Sequence, residues 1–211
     1  PGARRKARGS GQPGSGAVQN QTAILHLASG RPSEALAAAQ AGLRTAPYDQ
    51  SLLGWAATAA RACGDPLSAV LNDYAGLVRP QTLETPAGWS SLPAFLADLA
   101  SALKALHVYE RQPINQSVRG GLQTLQNLSG SQDPVIAALF EALEAPIRTY
   151  IQGLGPGEDP HRARARGGHR ITGAWSVRLR AGGFHADHFH PKGWISSAFY
   201  VETPSRVSRS R

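Results

Sequence analysis

A repeat with a period of 34 residues constrains this chain more than any other feature of its sequence. Ala23, Ala28, Gly30, Pro32, Ala35, Ala41, Gly42 and Leu43 return as Ala57, Ala62, Gly64, Pro66, Ala69, Ala75, Gly76 and Leu77, and Leu36 returns as Val70. Self-similarity at a fixed period of this size marks stacked supersecondary units. In each copy a helical stretch runs into Gly30-Arg31-Pro32 or Gly64-Asp65-Pro66, and an Ala-rich helix follows. Glycine ends one helix and proline starts the next, while small side chains let two antiparallel helices approach closely. Helical hairpins are therefore expected over residues 19–82, with Pro47 and Pro80 ending the two units. Gly30 and Gly64 should occupy equivalent turns, and Ala35 and Ala69 equivalent helix–helix contacts. The plainer alternative is two unrelated hairpins in an Ala-rich chain.

The remainder is read around these units. Of 211 residues, 41% are hydrophobic and 17% charged, enough apolar content to bury a core. No apolar run approaches the ~18–20 residues a membrane span needs, so a soluble, cytoplasmic protein is expected. A single cysteine, Cys63, excludes an intrachain disulfide framework and a cysteine-rich zinc site. The net charge of +8 is unevenly placed. Eleven of the 22 basic side chains sit in residues 1–10, in residues 161–170 and in the tail, as Arg4, Arg5, Lys6, Arg8, Arg162, Arg164, Arg166, Arg170, Arg206, Arg209 and Arg211. Those stretches hold no acid, so the other eleven cations face all 14 acids and the body is slightly acidic. The Arg-rich segments are expected to be solvated, with weak attraction to polyanions and no specific nucleic-acid binding.

Residues 1–18, rich in Gly, Pro, Ser and Arg, are expected to be a disordered basic tail. Residues 83–153 form a helical segment. A helix is predicted over 86–106, with Leu92, Phe95, Leu96, Leu99, Leu103 and Leu106 near one face. Pro113 and the Gly120-Gly121 pair break the pattern over 111–124. Asp133-Pro134 is an N-cap acid followed by proline, opening a helix that stops before Gly153. Residues 154–171 read as a linker, since the Gly153-x-Gly155-x-Gly157 run lacks the strand before and helix after that a dinucleotide loop requires. From residue 172 the period changes to two: Trp175, Val177 and Leu179 alternate with Ser176, Arg178 and Arg180. Gly182-Gly183 is expected to turn the chain into a second strand over 194–201. Helices first and strands afterwards predict an α+β protein.

Three histidines fall within six residues, His185-Ala186-Asp187-His188-Phe189-His190. In an extended segment residues two apart project to the same side, so His188 and His190 can face one metal ion while Phe189 packs the other way. Imidazole pairs suit Fe, Zn, Cu and Ni, and the residue pattern alone does not choose among them. His185-x-Asp187 is a second, lower-ranked pair of opposite parity. Ordinary surface histidines beside a Gly-rich turn are the alternative.

The 34-residue units resemble tetratricopeptide repeats, which implies a protein or peptide partner gripped by the hairpins. Gly182 followed by five residues and His188-x-His190 is similar to the opening of the cupin motif, but Trp194 and Ile195 stand where that motif needs a glutamate. GAWSVRLRAGGFHADHFHPKGWISSAFYVETP, residues 173–204, resembles the core of the bacterial 2-oxoglutarate/Fe(II) oxygenases that follow tetratricopeptide repeats. QSVRGGLQT, residues 116–124, is similar to a second segment of the same family. This resemblance implies the first strands of a double-stranded β-helix (jelly roll), with Fe(II) held by His188 and His190 and 2-oxoglutarate as cosubstrate. Trp175, Arg178, Ser196 and Tyr200 would line the cosubstrate pocket, and ordinary strand packing with a solvated arginine explains each of them equally well. Residues 205–211 resemble nothing in the family, so the chain is expected to be truncated or frame-shifted after Pro204. The distal histidine and the basic carboxylate anchor would then be missing and turnover absent, unless His161 or His169 folded back as a third ligand.

Overall fold

The computed structural model describes residues 15–108 and 116–204. Its elements are α1 (Gly16–Ala28), α2 (Pro32–Leu43), α3 (Gln50–Cys63), α4 (Leu67–Leu71), α5 (Tyr74–Leu77), α6 (Leu92–Leu106), β1 (Val118–Gln123), α7 (Pro134–Gly153) and β2 (Val177–His185). The protein is α+β, and the described residues divide into two compact units. The first runs to Val78 and adds Gly157–Arg164 and Phe189–Trp194; the second holds Arg79–Pro156, Ala165–His188 and the residues from Ile195 onward.

In the first unit, α1 begins where Ser15 accepts a hydrogen bond from the Val18 amide, so order starts inside the stretch expected to be a disordered tail. Residues 1–14 lie outside the described residues. Gly30 (φ 68°) closes α1 before Pro32 opens α2, and Gly64 (φ 73°) closes α3 before Pro66 and α4, the same left-handed turn at both repeated positions. The core of this unit is built of small side chains: Ala23, Ala35, Ala39, Ala56, Ala59 and Ala60 are fully buried, with Leu36 and Ala38 beside them. The equivalence stops at the fourth helix. Where α2 has 12 residues, α4 has five, and Ala69 is exposed where Ala35 is buried. Asp73 explains the interruption: its carboxylate accepts from the Gly76 amide and starts α5 as a separate turn.

In the second unit, Phe95 and Leu99 of α6, Ile136 and Leu139 of α7, Leu83 and Leu128 form the core. α6 starts at Leu92 rather than at 86, because Ser91 caps it by accepting from the Ala94 amide. Asp133 caps α7 from both the Val135 and Ile136 amides, and the helix continues through Pro146 to Gly153 despite the hydrogen bond that proline removes.

The sheet departs from expectation in three ways. Residues 118–123 form a strand, although the Gly pair there suggested only a break, and this strand pairs antiparallel with β2. Gly182-Gly183 does not turn the chain; it lies inside β2 as part of a bulge. Between the pairs Arg119↔Phe184 and Gly121↔Leu179, β1 advances from 119 to 121 while β2 runs from 184 to 179. Gly120 (φ 63°) and Gly182 (φ 74°) take left-handed backbone there, and a Cβ on Gly183 would lie 2.5 Å from the Gly120 carbonyl oxygen. Finally, residues 194–201 are not a strand. Phe199 and Val201 still pack on the second core, so the β-branched and aromatic content there records burial without strand pairing. Among the described residues the sheet has two strands, and the further strands of a jelly roll are not among them. No helix of the described residues is long and apolar enough to cross a membrane.

Candidate functional site

The histidine cluster follows the end of β2. His185 is the last strand residue, and 186–190 continue without regular structure, so His188 and His190 do not share a strand. His188 belongs to the second unit and His190 to the first. His185 and His188 stack with ring centroids 5.5 Å apart and planes 28° from parallel, a neighbourhood that spacing by two did not suggest. Asp187 is exposed. Two hydrogen-bonding contacts orient the rings: His185 Nδ1 lies 2.9 Å from Ser117 Oγ, and His188 Nδ1 lies 2.8 Å from the Ala186 carbonyl oxygen. A carbonyl only accepts, so His188 Nδ1 donates to it and Nε2 is the ring nitrogen available to ligate a metal. Phe189 packs edge-on against Trp55 at 5.1 Å, inside the first unit.

The donor chemistry of two exposed imidazoles fits a divalent transition ion. Among the described residues no three His, Cys, Asp or Glu side chains gather as a metal site. His169 Nε2 lies 3.3 Å from a Glu144 carboxylate oxygen, without hydrogen-bond alignment. His161 accepts the Trp194 indole N–H on its backbone oxygen at 3.1 Å.

Trp175, Arg178, Ser196 and Tyr200 all lie in the second unit and all are exposed, Tyr200 the most at 74%. Just before β2, Ser176 Oγ lies 2.9 Å from His107 Nε2. Thr124 holds that segment through two bonds, its amide donating to the Ser176 carbonyl and its hydroxyl accepting from the Ser176 amide. Leu106 and Val108, flanking His107, line a hollow of about 300 Å³ together with Thr124 and Leu125. Burial, and then the positive charge of Arg178, hold the His107 pKa below its usual value, so the ring is neutral at pH 7. Nothing in the period or spacing of the sequence marked His107, because its partner lies 69 residues away.

The Arg-rich stretch is less solvated than its composition suggests. Arg162 bridges Asp73 and Asp159 at 3.0 Å each within the first unit, and Arg164 lies over the rings of Tyr48 and Trp194 at 5.3 and 5.6 Å. The Arg162 hydrogen bond, followed by the Gly76 amide, holds the Asp73 carboxyl below its ordinary pKa.

Residues 173–211 match the model of a family described as "Putative 2OG-Fe(II) oxygenase", a span that includes 205–211, which had been expected to resemble nothing in that family. No curated protein and no solved structure matches the chain.

Proposed function

We propose that residues 173–211 are part of a 2-oxoglutarate- and Fe(II)-dependent oxygenase domain, with His188 and His190 as the histidines that hold the metal. The family match across 173–211, which includes both histidines, carries this reading. In such a domain bound Fe(II) would let O₂ act as the oxidant, one oxygen atom going to 2-oxoglutarate as it becomes succinate and CO₂ and the other to a C–H bond as it becomes an alcohol. This chain's contribution is to present imidazole nitrogens: the Ala186 carbonyl accepts from His188 Nδ1, which makes Nε2 the ring nitrogen that would hold the metal. Trp175, Arg178, Ser196 and Tyr200 are the proposed cosubstrate contacts, with Arg178 meeting a carboxylate. The jelly-roll fold belongs to the same proposal.

A calorimetric titration with Co(II), a redox-stable substitute for Fe(II), tests it. One ion should bind weakly, bind more tightly with 2-oxoglutarate present, and be lost in both His188→Ala and His190→Ala. Binding that survives both substitutions, or that ignores 2-oxoglutarate, overturns the assignment.

The paired left-handed turns at Gly30 and Gly64 favour a second reading for the first unit, that of tetratricopeptide-like hairpins serving as a peptide-binding scaffold. A pull-down in which residues 15–78 are replaced by an unrelated helical hairpin should then lose the partner, and a partner retained would overturn this reading.

A further inference from the structure

Glycine inside a helix, away from its ends, is a costly choice unless something approaches the backbone there. Gly54 stands inside α3 with ordinary helical backbone, and what approaches it is Phe189. A Cβ on Gly54 would lie 3.2 Å from both Cγ and Cδ1 of Phe189, so the ring rests on bare helix backbone. The next residue, Trp55, meets the same ring edge-on, with centroids 5.1 Å apart and planes at 89°. Gly54 and Trp55 therefore form a slot on α3, within the first unit, that holds one aromatic side chain.

The occupant of this slot is exchangeable. Phe189 keeps 37% of its surface exposed, so it caps the slot from outside. Trp55 packs against the Ala core, and its Nε1 is buried without a hydrogen-bond partner among the described residues. A buried indole N–H ordinarily finds an acceptor, and the phenyl ring beside it offers none. A segment bringing both an aromatic ring and a carbonyl to this place would gain a hydrogen bond that the chain's own segment does not make. The chain beyond Phe189 is anchored separately. The Gly193 amide donates to the His190 carbonyl, the Trp194 indole donates to the His161 carbonyl, and Arg164 lies over the Trp194 ring. Phe189 can thus leave the slot without undoing that anchor.

We propose that the Gly54–Trp55 slot reads an aromatic side chain of a partner peptide, and that Phe189 occupies it in cis until such a peptide displaces it. The proposal rests on the scaffold reading of the first unit and states which face binds and what chemistry it selects. A second copy of the chain would bring the same ring at its own dilute concentration against a tethered one at roughly millimolar effective concentration. A peptide from another protein, with the added acceptor, is the fitting occupant.

Fluorescence polarisation of a labelled peptide of residues 186–192, ADHFHPK, titrated with the full chain in the presence of a chelator, tests it. A tethered ring at millimolar effective concentration should make a peptide of about 100 µM intrinsic Kd bind the unaltered chain about tenfold more weakly than it binds the Phe189→Ala variant. The same peptide with alanine in place of its phenylalanine should not bind. Adding Trp55→Ala to Phe189→Ala should abolish binding. Because Trp55 also packs on the core, Gly54→Leu, which fills the slot with a good helix former, should abolish binding with an unchanged helical circular dichroism signal. Equal affinity for the unaltered chain and Phe189→Ala, no binding to Phe189→Ala, or binding that survives Gly54→Leu overturns the proposal. So does a concentration-dependent dimer abolished by Phe189→Ala, which assigns the slot to a second copy. The scaffold reading fails separately, when a partner is retained after residues 15–78 are replaced. A partner lost on that replacement but retained by Gly54→Leu keeps the scaffold and removes the slot.

Discussion

His107 shows how much a single side chain can depend on its surroundings. Its Nε2 lies 2.9 Å from Ser176 Oγ, while its Nδ1 is buried with no hydrogen-bond partner. Burial and the nearby Arg178 oppose its protonation, so the folded protein holds it neutral to a lower pH than the unfolded chain does. A group whose folded pKa is depressed contributes its stability above the unfolded value, about 6.5 for histidine, and loses it as pH falls toward the folded value. Stability should therefore fall between pH 7 and pH 5, and His107→Gln should reduce that fall when urea midpoints are compared at the two pH values. An identical decline in the variant would place the acid sensitivity elsewhere. At the same scale, the tautomer of His188 is set by one carbonyl, Ala186, a feature that only the folded backbone shows.

The elements divide into those whose ends are written locally and those that need a distant partner. Ser15, Asp49, Ser91 and Asp133 each cap a helix through an oxygen that accepts from an amide two or three residues on, and the sequence pattern marks such positions. The sequence reading used Asp133 and so placed the α7 start, whereas it passed over Ser91 and put Ser15 in a stretch expected to be disordered. The tight Ala-on-Ala core of the first unit predicts that Ala35→Leu overpacks and destabilises by about 1–3 kcal/mol in urea unfolding, whereas Ala69→Leu, at an exposed position, costs far less. Equal costs at the two sites would contradict the observed difference between α2 and α4. Strands were harder to read. β1 contains Gly120 and Gly121 because the bulge needs them, and glycines are the residues that make a strand look like a loop. Gly183 faces the Gly120 carbonyl so closely that Gly183→Ala should break the bulge, destabilising the protein by roughly 1–3 kcal/mol. Exchange of the Gly121 and Leu179 amides should rise with it. A variant with native stability and unchanged exchange would mean the sheet tolerates another register. The β-branched and aromatic content of 194–201 was visible, and Phe199 and Val201 do pack on the core, but such content does not state which strand, if any, is there to pair.

At the scale of the whole chain, the sequence pattern singled out the histidine cluster and the change of period that leads into β2, but it put β1 inside a segment read as helical. It did not show that 157–164 and 189–194 belong with the first unit, since a chain's return to a distant core leaves no local signal. It also assigned Arg162 and Arg164 to solvent, because composition reports charge and not the Asp73, Tyr48 and Trp194 side chains that receive it. For the proposed oxygenase chemistry the consequence is quantitative. Two imidazoles leave most positions of an Fe(II) ion to water, and no third donor joins them among the described residues. The 211-residue chain should therefore form no succinate from 2-oxoglutarate above an Fe(II)–ascorbate blank. Clear turnover by the purified chain would mean that a third ligand is recruited. The most direct measurement of the central claim is histidine-selective NMR during a Co(II) titration, with each of the seven imidazoles assigned by substitution. The expected result is that His188 and His190 broaden first and together, at the same metal concentration, while His161 and His169 respond later. Early broadening of His185 with His188, leaving His190 unchanged, would contradict it and move the metal to the stacked pair.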